Sequence, residues 1–132
     1  MRILLDTNVI ISSLFFGGKP REIVKSVVMK RHIAVTSHML LSELSDVLRK
    51  KFGYSKQAVT AVDRQMHDQC EIVLPHETID VVIDVPDNRV LEAAVEGRCE
   101  VIITGDNDLL TLKRYRNVRI MTPDEFLKVF SS

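Results

Sequence analysis

Apolar residues recur along this chain in two rhythms. Short continuous runs, such as Ile3-Leu4-Leu5 and Val101-Ile102-Ile103, have the length and branching of strands buried on both faces. Between them, apolar residues return every three or four positions, as on one side of a helix. The first run predicts a strand from Arg2 to Asp6, followed by a short apolar helix from Asn8 to Phe16 that Gly17-Gly18 closes. Pro20 opens a predicted second helix to about Arg31, with Ile23, Val24, Val27 and Val28 on one side. Ile33 to Thr36 reads as a second strand, and Ser37 suits the cap of a third helix, His38 to Phe52, stopped by Gly53. Ser55 starts a fourth helix with Ala58, Val59, Val62 and Met66 as its stripe, ending near Cys70.

Glu71 to Val85 leaves two readings open: Ile72-Val73-Leu74 and Val81-Val82-Ile83 suit either short strands or apolar loop anchors. A fifth helix runs from Pro86 to Gly97, and Val101 to Thr104 is the clearest buried strand. Gly105 to Asp108 is a turn leading to a short helix through Leu112, and Val118 to Met121 is a last strand. Thr122-Pro123-Asp124-Glu125 has the form of a capping box with proline at the first helical position, before Phe126, Leu127 and Phe130. Strands alternating with helices predict a parallel sheet between helical layers.

The chain's 132 residues suit a single domain over 1–132 with a real core. Its formal net charge of zero gives no bulk reason to expect nucleic acid, so any such contact needs a local basic patch. No apolar run approaches the roughly 20 residues that span a bilayer, and the first residues read as structure, not as a secretory signal. Cys70 and Cys99 lack metal-ligand spacing and read as buried, reduced thiols of a cytoplasmic protein.

Four acidic residues carry the candidate chemistry. Asp6 ends a strand, at the sheet edge where open α/β folds bind ligands, although a helix N-cap accounts equally well for Asp6 alone. Asp106 also follows a buried strand, and a cap or turn role fits it and Asp108. Asp87 precedes Val90, Leu91 and Ala94 by three, four and seven residues, so on a helix it shares their apolar side. Asp84, three residues earlier, reads as the loop residue of the pair. Glu43 sits mid-helix on the border of the stripe made by Leu40, Leu44 and Val47, where no capping role explains it. Convergence of the four at the carboxyl edge of the sheet would create a cluster that repels itself unless cations neutralise it. All-oxygen anionic clusters favour Mg²⁺ or Mn²⁺, and the absence of His and Cys argues against zinc. Such a site suits phosphodiester hydrolysis.

Asp-Thr-Asn-Val at 6–9, Ser-Glu-Leu at 42–44, Asp-Asn-Arg-Val-Leu-Glu-Ala-Ala at 87–94 and Thr-Gly-Asp-Asn-Asp-Leu-Leu at 104–110 together resemble a PIN domain, and within it the VapC-like toxins of VapBC-type toxin–antitoxin pairs. The resemblance extends to Met121-Thr122-Pro123. It implies a three-layer α/β/α fold with a central parallel sheet of about five strands, a metal-dependent ribonuclease, frequent homodimers and a cognate antitoxin. It places the family's acidic quartet on Asp6, Glu43, Asp87 and Asp106, a further acidic position on Asp108, and bracing polar positions on Asn8 and Thr104. Asp84-Val85-Pro86 departs from the pattern, since relatives more often place proline directly after the aspartate.

Two rivals stand beside this reading. A phosphatase of the haloacid-dehalogenase type needs a second aspartate two positions after the first, where this chain has Asn8. A catalytically weak PIN domain acting as an RNA- or protein-binding module is expected to have lost a carboxylate, and none of the quartet is missing. For RNA contact, Arg49-Lys50-Lys51 and Lys113-Arg114-Tyr115-Arg116 are the candidate basic clusters, with solvated surface charge as the plain alternative for each.

Overall fold

The computed structural model describes residues 1–130. Its strands are β1 (Arg2–Leu5), β2 (Ile33–Ser37), β3 (Cys70–Val73), β4 (Val101–Ile103), β5 (Arg114–Tyr115) and β6 (Val118–Met121). Its helices are α1 (Thr7–Phe15), α2 (Gly18–Val28), α3 (His38–Phe52), α4 (Lys56–Gln69), α5 (Val85–Glu96), α6 (Asn107–Leu112) and α7 (Pro123–Phe130). The strands form one sheet in the order β3-β2-β1-β4-β6-β5. All neighbours are parallel except β5, which lies antiparallel to β6. The expected parallel sheet of about five strands is therefore present, with a two-residue sixth strand on its edge.

Side chains alternate across the sheet as the pleat requires. Leu4, Val35, Ile102 and Ile120 meet Leu40, Val90, Leu91, Ala94 and Leu109, from α3, α5 and α6. Ile3, Ala34, Val101, Ile103 and Met121 meet Val9, Ile23, Val27 and Phe126, from α1, α2 and α7 on the opposite face. This is the three-layer α/β/α arrangement. A third cluster joins Ile10 and Ile11 of α1 to Leu44 and Leu48 of α3, with Val59, Val62 and Met66 of α4 packed outside it.

Local chemistry sets most of the boundaries. The Oγ atoms of Ser37 and Ser55 accept from Leu40 N (3.3 Å) and Ala58 N (3.1 Å), capping α3 and α4. Gly53 ends α3 in the left-handed conformation, φ 65°. The Thr122–Glu125 capping box forms in both directions, each bond 3.1 Å. The second helix begins at Gly18, so Pro20 lies third in it. That is no penalty, because first-turn N–H groups have no intrahelical partner. Of the two open apolar runs, residues up to Val73 complete β3 and Val81-Val82-Ile83 is loop, with Val82 anchored on the core. Cys70 is only partly buried and Cys99 is buried. Both thiols are free, and burial pushes them up to about 11 and about 12.

The sheet's chain order reverses between β1 and β4: β2 and β3 extend one way from β1, β6 and β5 the other way from β4. A crevice opens beyond the carboxyl ends of strands at such a switch point. Asp6 N donates to Ile103 O (3.0 Å), which keeps the two strand ends together as the chains leave for α1 and α6.

Candidate active site

Asp6 follows β1 and caps α1. Its Oδ1 accepts from Thr7 N at 2.8 Å, and its Oδ2 from the Thr104 hydroxyl at 2.7 Å. Thr104, fully buried after β4, passes the connection on: its Oγ1 accepts from Asp106 N at 3.0 Å. The Asp106 carboxylate in turn caps α6 through Asp108 N, at 2.9 Å. Both aspartates are thus caps and also members of one linked cluster. Asn8 lies exposed in the first turn of α1 and makes no hydrogen bond to that cluster among the described residues, so only Thr104 of the two expected braces holds it.

Asp87 enters from the first turn of α5 and is buried, 5% exposed, while its Oδ2 has no hydrogen-bond partner. Burial, the adjacent Asp106 carboxylate and the charges of Asp84 and Asp6 together push its carboxyl up to about 8. Asp6 is raised by burial against the opposing hydrogen bonds of Thr104 and Thr7, and further by Asp106 and Asp84. Glu43, half-buried on α3, is raised by burial and then by Asp6 and Asp84. Asp6 thus acts on both Glu43 and Asp87, and Asp106 on both Asp6 and Asp87. Among the described residues, none of the four pairs with a Lys, Arg or His.

Asp84, read from sequence as a loop residue, also belongs to the group: single oxygens of Asp84, Asp87 and Asp108 lie within 4.8 Å of one another. The sequence signal was the three-residue spacing to Asp87 across a helix start. What decides the matter is the path of the preceding loop, which depends on tertiary contacts.

The basic clusters stand off from the carboxylates. Arg49, Lys50 and Lys51 occupy the exposed last turn of α3, Arg49 reaching Asp46 at 3.5 Å. They lie about 9–12 Å along the helix from Glu43. Lys113 ends α6 and Arg114 opens β5, both exposed, about 10 Å along the chain from Asp106. Arg116 is held bidentately by Glu77, with its shorter bond 2.7 Å.

A PIN-domain family model matches residues 2–108, the span that holds all of these carboxylates. The chain belongs to the PIN-domain family. Its fold is similar to that of VapBC2 from Rickettsia felis, solved bound to a DNA fragment from its promoter (TM-score 0.62, 16% identity, 91% of this chain and 97% of that one covered). It is similar in the same degree to VapBC-1 from nontypeable Haemophilus influenzae (TM-score 0.62, 16% identity, 94% and 99% covered). No curated protein matches the sequence. No described helix is long and apolar enough to cross a membrane.

Proposed function

We propose that this PIN domain is an endoribonuclease dependent on Mg²⁺ or Mn²⁺, acting as the toxin of a toxin–antitoxin pair. The observation that carries the reading is the buried, unpartnered Asp87 Oδ2 within a group of carboxylates that no side-chain cation neutralises. Burying such charge is costly without a counter-ion, and the purely oxygen donor set matches a hard divalent ion. Asp6, Glu43, Asp87 and Asp106 are the residues assigned to hold it, with Asp108 beside them.

A bound ion of this class supplies an activated water and counter-charge for the phosphate. The chain's own part is placement. Thr7 and Thr104 fix both oxygens of Asp6, and the backbone of Asp108 fixes one oxygen of Asp106. Glu43, half-buried on a separate helix, is assigned the remaining carboxylate of the quartet. Arg49, Lys50, Lys113 and Arg114, exposed away from the carboxylates, are assigned to the RNA backbone, where they supply salt-sensitive affinity. A cognate antitoxin and a homodimeric state in the cytoplasm complete the proposal. Support for the antitoxin is the fold shared with the two VapBC proteins.

The test is cleavage of a panel of structured and single-stranded RNAs by the purified chain in EDTA, Mg²⁺ or Mn²⁺, beside Asp6→Asn. Cleavage with either metal, lost in EDTA and in the variant, is the expected result. Cleavage that persists in EDTA or in Asp6→Asn would overturn the assignment.

A further inference from the structure

The start of α5 is built more elaborately than a quartet of carboxylates requires. Asp84 occupies the N-cap position of α5, yet its side chain makes no cap hydrogen bond. Asp6 and Asp106, in the same position on α1 and α6, each give one carboxylate oxygen to the cap. Both Asp84 oxygens are therefore free of the role that normally explains an aspartate there. One of them lies within 4.8 Å of oxygens from Asp87 and Asp108.

The loop that delivers Asp84 is clamped by α5 itself. Asn88, 1% exposed, accepts from Val81 N (3.0 Å) and Val82 N (3.1 Å), and donates to Val82 O (3.0 Å). Glu92 accepts from Ile79 N at 2.8 Å, and Arg89, paired with Glu92 at 2.7 Å, donates to Ile79 O at 3.1 Å. These bonds fix the backbone two residues before Asp84. They fix the path by which Asp84, itself exposed, approaches the buried Asp87 and the exposed Asp108 despite their mutual repulsion. Asp87, a member of this group, is 5% exposed and keeps its Oδ2 buried without a hydrogen-bond partner.

We infer that Asp84 is a direct cation ligand, forming with Asp87 and Asp108 a seat for a hard divalent ion at the start of α5. This rests on the metal-dependent reading above and adds a ligand outside the quartet. Three carboxylates from a helix cap, a first turn and a neighbouring short helix supply only part of an octahedral shell. Mg²⁺-like ions accept that, because they keep several waters and leave room for a substrate phosphate. Asn88 then acts as a positioning residue for Asp84, through the loop.

The experiment is an Mn²⁺ titration of the purified chain at about pH 8, reading free Mn²⁺ by electron paramagnetic resonance, with no substrate present. Asp84→Asn should weaken binding on the order of tenfold, because ligand charge sets affinity at oxygen sites. Asp80→Asn, which removes an exposed carboxylate from the same loop, should bind as the wild type does. Asp84→Asn binding with wild-type affinity, while Asp6→Asn is impaired, would overturn the assignment of Asp84 and leave the metal site standing. No binding by the wild type would remove both.

Discussion

At Asp87, burial and like charge act in the same direction. Burial first, then the Asp106 carboxylate, raise its carboxyl to about 8, far above the ordinary carboxylate value. Between those values the metal-free folded chain holds a proton that the unfolded chain releases. The folded state binds more protons, so its stability falls as pH rises through that window. Thermal unfolding in EDTA should therefore show a lower midpoint at about pH 8 than at about pH 5. Asp87→Asn should flatten that slope and raise the midpoint near pH 8 by a few degrees, each kcal/mol being worth roughly 4 °C at this length. An unchanged slope in Asp87→Asn would show that another group titrates. The residue scale is also where sequence was most informative. Asp6 and Asp106 are marked by strand ends, Asp87 by its spacing to Val90, Leu91 and Ala94, and Glu43 by its border position. Asp84 was not legible, because an aspartate that caps a helix and one turned away from the cap are the same letter. The difference lies in Asn88 and Glu92 gripping a loop that no local pattern specifies.

At the scale of elements, α5 has two demanding ends. Its start carries Asp84 and Asp87, and its end at Gly97 packs against β2. A Cβ on Gly97 would fall 2.4 Å from Val35 Cγ1 and 3.1 Å from Ala93 O. Gly97→Ala should therefore destabilise the fold by about 1–3 kcal/mol through overpacking. Chemical denaturation should show that loss, and Val35→Ala in the same chain should cost less than the two single changes added together. A neutral Gly97→Ala would mean that Val35 yields freely. Elements with caps and periodic stripes, α3, α4 and α7, were legible because Ser37, Ser55 and Thr122 announce them. The edge strand β5 was not. It is two residues long, polar, and reached through Lys113 at φ 61° and left through Arg116 at φ 52°, a left-handed conformation that arginine and lysine rarely signal. The start of α2 was displaced because proline is tolerated anywhere in a first turn, so Pro20 marked the turn without fixing its first residue.

At the scale of the whole molecule, strand alternation foretold a parallel sheet, but not the order of its strands. That order comes from long-range pairing, and it is what brings Asp6 and Asp106 side by side at the reversal between β1 and β4. With a net charge of zero, the chain leaves Asp6, Glu43, Asp87 and Asp106 without a side-chain cation among the described residues, while Glu71, Glu77, Glu96 and Asp124 are paired elsewhere. The central claim is that this edge is a cation site. Its most direct test is the shift in thermal midpoint on adding Mn²⁺ to the metal-free protein, compared between wild type and Asp87→Asn. A ligand that binds only the folded state stabilises it by about 2.7 kcal/mol at a free concentration of about 100 times its Kd. The wild type should rise by several degrees near pH 8 and by much less near pH 5, where Asp87 is protonated, and Asp87→Asn should lose most of the shift. An equal shift in Asp87→Asn, or none in the wild type at any pH, would contradict the account.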